Sequence, residues 1–320
     1  MADDITKRIA RFIEPFRVTP GSSVTLADDF DPAFKAGIEK KKDGASLLND
    51  GITLLSDFQQ RLAAQATHGV VVVLQAMDAA GKDGTIRHVM SGVNPQGVRV
   101  ESFKVPAARE LDQDYLRRYQ ERLPARGEIG IFNRSHYEEV LVVRVHPEHL
   151  VDEKLSAESR RHHVWKRRYH AINEWERYLD DNGFRVVKLF LNLSKEEQRR
   201  RFLRRIDLPE HNWKFSSADL RERRHWDAYQ DAFSEAFSHT STEWAPWYVI
   251  PADRKWFARV AAAAVIANAL IEINPQYPAL GDEAVRELEA AKRELEADAP
   301  DGAAPDPFEA TAGVAAGAAA

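Results

Sequence analysis

The stretch Val70-Val71-Val72-Val73-Leu74-Gln75-Ala76-Met77-Asp78-Ala79-Ala80-Gly81-Lys82-Asp83-Gly84-Thr85 decides how this chain is read. Its apolar run predicts a fully buried β-strand. The strand then breaks into a loop of small residues, presents Gly81-Lys82, and enters a helix at Gly84-Thr85-Ile86. Backbone N–H groups of such a loop and of the first helical turn converge on one point, where a lysine adds a full positive charge. The layout grips a polyphosphate. The competing reading is a buried strand followed by an ordinary glycine-rich turn. Two positions depart from the Walker A pattern G-x-x-x-x-G-K-[ST]. Ala76 stands where the first glycine belongs, and Asp83 where a hydroxyl normally holds Mg²⁺. Because Mg²⁺ prefers carboxylate and water, Asp78 and Asp83 are the replacements within the loop.

Bulk properties narrow the classes. At 320 residues the chain has ample material for one large domain or two small ones. It contains no cysteine, which excludes disulfides, thiol catalysis and cysteine-ligated zinc and fits a reducing compartment. Residues 1–7 carry no basic region followed by an apolar stretch, so no signal peptide is expected. Val260 to Leu270, the longest apolar run, is too short to cross a bilayer. A cytoplasmic protein without membrane contact is expected. The net charge of −5 hides an uneven distribution. From Gly281 onward there are 10 acidic and 3 basic residues, which leaves the rest of the chain at +2. Basic residues bunch at Arg199, Arg200, Arg201, Arg204 and Arg205, and again at Arg160, Arg161, Lys166, Arg167 and Arg168. Local field, rather than total charge, draws in an anion. The second cluster reads as a solvated helix face. In the first, Arg201, Arg204 and Arg205 share one face at i, i+3, i+4 spacing.

Strands and helices alternate. Residues 1–68 read as a helical segment packing on the core, with a 3.6 period over Ser46 to Ala64. Further strands are expected at Val98–Lys104, Glu128–Asn133, Arg185–Leu191 and Trp247–Pro251. Helices are expected at Leu111–Arg122, Ser156–Asp181 and Lys195–Arg205. This order predicts an α/β fold with a five-stranded parallel sheet covered on both faces, and ligands beyond the carboxyl ends of the strands. Residues 207–242 interrupt the alternation, helical at least from Ala218 to Ser238, and read as a lid on a core spanning 69–280. Trp226, Tyr229, Phe233 and Phe237 keep helical spacing and read as lid core rather than as stacking platforms for nucleic acid, which is not an expected partner. Asp282–Ala297 reads as a short acidic helix, and Ala299–Ala320 as a disordered Ala-rich tail.

The third strand ends in Gly130-Ile131-Phe132-Asn133-Arg134-Ser135-His136-Tyr137-Glu138-Glu139. An adjacent strand in phosphate-loop enzymes usually delivers a carboxylate toward the metal, and here Asn133 holds that place. Arg134 can donate two parallel hydrogen bonds to phosphate oxygens; alternatively it forms a surface ion pair with Glu138. His146, His149 and the His162-His163 pair lack metal-binding spacing and read as surface residues.

Ala79-Ala80-Gly81-Lys82-Asp83-Gly84-Thr85 followed by Phe132-Asn133-Arg134-Ser135-His136-Tyr137-Glu138 resembles the family-2 polyphosphate kinases. So do Trp213-Lys214-Phe215-Ser216, Asp219, Arg223, Trp226-Asp227-Ala228-Tyr229 and Ala245 to Trp256, in the same order. The resemblance covers roughly Asp31 to Asn274. It implies a P-loop kinase-like, three-layer fold similar to thymidylate kinase with a helical lid, and reversible, Mg²⁺-dependent (or Mn²⁺-dependent) phosphoryl transfer between inorganic polyphosphate and AMP, ADP, ATP or other nucleotides. It implies catalytic roles for Asp78, Lys82 and Arg134, with Asp78 as metal ligand. Ala79, Ala80, Gly81, Lys82, Asp83, Gly84 and Thr85, with lid-side Arg201, Arg204, Arg205 and Lys214, would bind phosphates. Lys104, Asn133, Arg134, Tyr137 and Glu138 would bind the nucleotide. Many members carry Asp where this chain has Asn133; Asn with Glu138 resembles the subgroup that accepts both mono- and diphosphates. A homo-oligomer is expected. The remaining alternatives are an ATP-dependent nucleoside or nucleotide kinase and a non-catalytic polyanion-binding module.

Overall fold

A computed structural model describes residues 2–160, 163–298 and 300. The first half builds α1 (Ala2–Ile13), α2 (Lys41–Gln65), β1 (Gly69–Ala76), α3 (Lys82–Val89), β2 (Val98–Ser102) and β3 (Ile129–Asn133). The second half builds α4 (Val164–Asp181), β4 (Phe184–Asn192), α5 (Lys195–Asp207), α6 (Ser217–Arg224), α7 (Trp226–Thr240), β5 (Trp247–Pro251), α8 (Lys255–Ile273) and α9 (Asp282–Ala297). Among the described residues, those up to Tyr277 form one compact unit and those from Pro278 a second. In the second unit α9 buries none of its side chains, and Lys292 pairs with Glu296 along it. The expected tail, apart from Pro300, lies outside the described residues, as do Arg161 and His162.

All five strands are parallel, in the order β2-β3-β1-β4-β5. The side-chain period of two sends Val70, Val72 and Leu74 to one face and Val71 and Val73 to the other. On the first face α8, α2 and α1 cover the sheet through residues such as Phe257, Ala261, Leu55, Leu62 and Ile13. On the second, α4 and α7 contribute Ile172, Leu179, Phe233 and Phe237, which meet Phe132, Phe190 and Trp247. Only β2, at the edge, is largely exposed, and its Arg99 and Glu101 pair with Glu128 and Arg122. The chain lays β2 and β3 on one side of β1 and β4 and β5 on the other, and this change in winding puts the loop after β1 at the crevice where ligands of open parallel sheets bind.

Several sequence expectations change. The helix expected at 111–122 is two single turns, Ala108–Leu111 and Arg117–Gln120. Between them Asp114 takes the Leu116 N–H on its side chain at 2.9 Å, a local bond that competes with helix formation. The helix expected from Ser156 is a single turn, Ala157–Arg160, followed by α4 from Val164, and His163 before α4 sits at φ 63°, a left-handed conformation that no helix interior holds. The 207–242 excursion divides. Its α7 is main-core rather than lid-core: Phe233 meets Phe190 at 4.2 Å and Phe237 meets Trp247 at 5.1 Å between ring centroids. Pro209–Asn212 and α6 form the remainder, with none of their residues buried. The apolar run 260–270 belongs to the 19-residue α8, which passes the length and composition test for a membrane span, yet 67 % of that window is buried in the fold. Arg168, assigned to a solvated face, is buried and pairs with both Glu139 and Glu153.

Candidate phosphoryl-transfer site

The loop after β1 turns twice through left-handed backbone, at Ala79 (φ 63°) and Gly81 (φ 105°). Gly81 needs no side chain there; Ala79 holds a conformation that costs a residue with a Cβ. Ala76 shows no positive φ and ends the strand, which explains why the first glycine of the pattern is dispensable here. The N–H groups of Lys82, Asp83 and Gly84 open α3 and have no intrahelical acceptor. Thr85 differs from the expectation. Its side chain is buried and its N–H is taken by the Gly81 carbonyl at 2.9 Å, so it offers no free backbone donor.

Lys82 reaches back over the loop, donating to the Ala76 carbonyl at 3.2 Å. Burial lowers its pKa below the ordinary lysine value, and Arg134 adds to this while Asp78, Glu138 and Asp83 oppose it. Arg134 follows β3 at φ 66° and donates its backbone N–H to Leu74 on β1 at 3.2 Å. Its guanidinium lies 3.5 Å from Asp78 Oδ1 and 3.2 Å from Glu138 Oε2. The ion pair with Glu138 is thus present, and Arg134 still keeps 43 % of its side chain exposed toward the loop. Such a strained residue at a strand end is a signature of functional geometry.

Asn133 donates from Nδ2 to Asp83 Oδ1 at 2.9 Å, tying β3 to the first turn of α3. Its Oδ1 is buried without a hydrogen-bond partner. Together with the Asp78 and Asp83 carboxylates, this orphan oxygen makes a donor set suited to a small hard cation, which needs only one or two carboxylates when phosphates and water complete its shell. No group of three or more acidic or histidine residues with metal-site geometry occurs among the described residues. His146 is half-buried and bonds Glu222 on α6 at 2.9 Å, so it ties elements together instead of lying free on the surface.

Two expected contacts do not form. Tyr137 is fully buried; its hydroxyl donates to Glu176 at 2.8 Å and accepts from Lys188 at 2.9 Å, so it cannot touch a nucleotide. Lys188 and Glu176, both 0 % exposed, pair at 2.6 Å beneath the segment that carries Arg134 and Glu138. Lys188 also donates to the Thr240 carbonyl at 2.6 Å, and His136, whose pKa burial lowers, lies 3.2 Å from Glu176. Arg201 is the second case. Only 6 % exposed, it donates to the Ala79 and Ala80 carbonyls at 3.2 and 2.6 Å and to the Ala252 and Asp253 carbonyls at 2.6 and 3.3 Å. Its remaining Nε donates to Glu197 at 2.9 Å. The fork clamps the outside of the phosphate loop and has no donor to spare for a phosphate. Gln198, one turn earlier on α5, donates to the Asp78 carbonyl at 2.9 Å and accepts from Arg223 of α6 at 2.7 Å.

A cavity of about 590 Å³ opens around the loop. Leaving Arg201 aside, eight lysine or arginine side chains line it against two carboxylates, Asp78 and Asp83. The expected Arg204, Arg205 and Lys214 are among them; Arg205 is held by Asp219 at 3.4 Å and Lys214 lies over the Trp213 ring. Sequence reasoning missed Arg87, Lys255 and Arg259. None of these three is within ion-pair distance of a carboxylate among the described residues; burial lowers the pKa of Lys255 and Arg259, helped by repulsion from Arg201 and Arg204 at Lys255 and from Arg87 at Arg259. Lys255 stands inside the Ala245 to Trp256 motif, a signal that was available; Arg87 lies one helical turn beyond Lys82 and Asp83 on α3. Exposed Lys104 lines a second, smaller cavity, and Arg134 belongs to the walls of both.

The chain and its fold have known relatives. The family described as Polyphosphate kinase 2 (PPK2) matches residues 37–278. The chain belongs to the polyphosphate kinase 2 family. An ADP-polyphosphate phosphotransferase of Rhodopseudomonas palustris is 49 % identical over 284 residues, 88 % of this chain and 97 % of the relative. An AMP/ADP-polyphosphate phosphotransferase of Meiothermus ruber is 46 % identical over 270 residues, 83 % of this chain and 96 % of the relative. The crystal structure of Polyphosphate Kinase 2 from Arthrobacter aurescens superimposes with a TM-score of 0.77 at 40 % identity, covering 87 % of this chain and 96 % of that one. The five-stranded parallel sheet with its phosphate loop at the switch point is therefore the polyphosphate kinase 2 fold.

Proposed function

We propose that this polyphosphate kinase 2 member moves the terminal phosphoryl group of inorganic polyphosphate onto nucleoside mono- and diphosphates. The observation that carries the donor is the excess of cationic side chains around the loop, more than one nucleoside triphosphate requires. An ATP-dependent nucleotide kinase would need the loop and lid but not that surplus. A purely binding module would not need Asp78 and Arg134 in contact beside Lys82.

The chemistry follows from positioning and charge. An oxygen of the acceptor phosphate, already anionic near neutral pH, forms the new P–O bond while the terminal phosphoanhydride bond breaks and its electron pair leaves with the shortened chain. No general base is needed, and an in-line, loose transition state asks mainly for orientation and neutralisation. The loop N–H groups and Lys82 hold the donor phosphates, and Arg134 bridges donor and acceptor from the junction of the two cavities. Asp78, with Asp83 and the Asn133 oxygen, would hold Mg²⁺, which when bound neutralises phosphate charge. Glu138 pairs with Arg134 and is read as the residue that distinguishes mono- from diphosphate acceptors. Pro209–Asn212 and α6 are read as the lid, linked to the loop through Arg223 and Gln198. The absence of cysteine supports a cytoplasmic setting.

The test is ATP and ADP formation from long-chain polyphosphate with ADP or AMP as acceptor, with and without Mg²⁺. Product from both acceptors, lost on chelation, is expected. Activity with ADP alone would sink the dual-acceptor reading. Transfer from ATP but never from polyphosphate would replace the reading with a nucleotide kinase.

A further inference from the structure

We propose that the cavity beyond Arg134 reads the base of the acceptor nucleotide, and that Glu153 selects bases bearing an exocyclic amine. This rests on the phosphotransferase reading and deepens it. The cavity encloses about 170 Å³, several times a water's share of about 30 Å³ yet below the roughly 300 Å³ of the smallest drug-sized pockets. It therefore suits a ring system rather than a whole nucleotide. Arg134 and Glu138 stand in its wall, so a base lodged there leaves its phosphates at the transfer point.

Its chemistry is that of a base site. Phe103 and Tyr119, with ring centroids 4.5 Å apart, and Tyr115 line it, with Arg118 over the first two rings and Arg168 over the third; ring edges and guanidinium planes are surfaces on which a flat base packs. Recognition needs polar atoms without protein partners, and the cavity has them. Glu153 and Tyr115 line it, and Glu153 Oε1 and Tyr115 Oη are buried with no hydrogen-bond partner. The other Glu153 oxygen is gripped by Arg168 Nη2. Arg168 serves Glu139 as well, its Nη1 donating to the Glu139 carbonyl at 2.7 Å and lying 3.5 Å from the carboxylate. Two buried carboxylates thus share one guanidinium. Burial, with Glu153 next, pushes Glu139 up to about 7, the mark of a site short of donors. A carboxylate oxygen only accepts, so its fitting partner is an N–H₂ edge such as the 6-amino group of adenine; the carbonyl of hypoxanthine at the same place would face it lone pair to lone pair.

The experiment compares kcat/KM for polyphosphate-driven phosphorylation of AMP, IMP and purine riboside monophosphate, which lacks the 6-substituent. Wild type should favour AMP over the other two by roughly 10- to 100-fold, the worth of one hydrogen bond to a charged acceptor. In Glu153→Gln, Arg168 keeps the amide carbonyl and turns the amide N–H₂ to where Oε1 stood. The variant should gain activity on IMP and bring the AMP/IMP ratio to about one or below, a reversal that general loss of structure does not produce. Equal use of the three acceptors by wild type overturns the proposal, as does an unchanged ratio in a variant with wild-type melting. If Glu153→Gln does not fold, the wild-type acceptor series decides alone. Absence of transfer from polyphosphate to any acceptor, ADP included, would overturn the phosphotransferase reading first, and the cavity's role with it.

Discussion

Replacing Arg201 separates two roles that its position in the sequence leaves open. On α5 it shares a face with Arg204 and Arg205, which suggests a hand on the polyphosphate. In the fold its guanidinium bonds four carbonyls, two of the phosphate loop and two after β5, plus Glu197. Arg201→Gln removes a charged donor set from a buried place. Each hydrogen bond to a charged group is worth about 1.5–3 kcal/mol, and the terms do not add fully because the bonds share one guanidinium and water can enter the space it leaves. A net loss of about 3–5 kcal/mol follows, as for breaking other buried charged contacts. If most of it comes out of loop preorganisation, kcat falls roughly 10²- to 10³-fold. KM for polyphosphate should barely move, since Arg201 has no free donor to lend. Initial rates of ATP formation at varied polyphosphate and saturating ADP, alongside a circular dichroism melt, make the measurement. Arg201→Lys, with a single compact ammonium, should recover little of the loss. A large rise in KM with kcat preserved would refute the clamp and return Arg201 to the substrate.

Three further outcomes are expected. Lys82→Ala and Arg134→Ala should each lower transfer by about 10³-fold or more while leaving the melting temperature near wild type, judged by rate assays and calorimetry; wild-type activity in either would remove that residue from the site. Because the Lys82 pKa is lowered and its ammonium is the form that binds phosphate, the free enzyme's kcat/KM should hold below that lowered value and fall as pH rises through it, before an ordinary lysine would titrate. Lys188→Met strips the buried partner from Glu176 and should cost about 3–5 kcal/mol, or a melting drop of roughly 6–20 °C. Adding Glu176→Gln should restore part of it, and a double variant no better than the single would show that the two charges are not coupled.

The valine run, the small-residue loop and the Gly-Lys pair were enough to place the phosphate loop, the parallel sheet and the position of Lys82, because a buried strand and a helix start leave local marks in composition. Arg134 and Glu138 were legible for a related reason: they sit at the end of a strand whose neighbour already carried the loop. Tyr137 was misassigned although it stands between them in sequence. The turn after Ser135 sends its ring inward to Glu176 and Lys188, residues 39 and 51 positions away that no local pattern connects to it. Arg201 and Arg204 look alike on a helical wheel. Only the approach of the loop and of the residues after β5 buries one fork among carbonyls and leaves the other at the cavity. Arg87, Lys255 and Arg259 converge on that cavity because α3 and α8 pack together, and Glu153, in the wall of the smaller cavity, keeps one oxygen unpartnered while Arg168 holds the other. Sequence alone determined the local chemistry, since backbone conformation and periodicity are short-range. Tertiary structure decided which charges are spent inside the protein and which remain for substrate, since that depends on contacts between segments far apart in the chain.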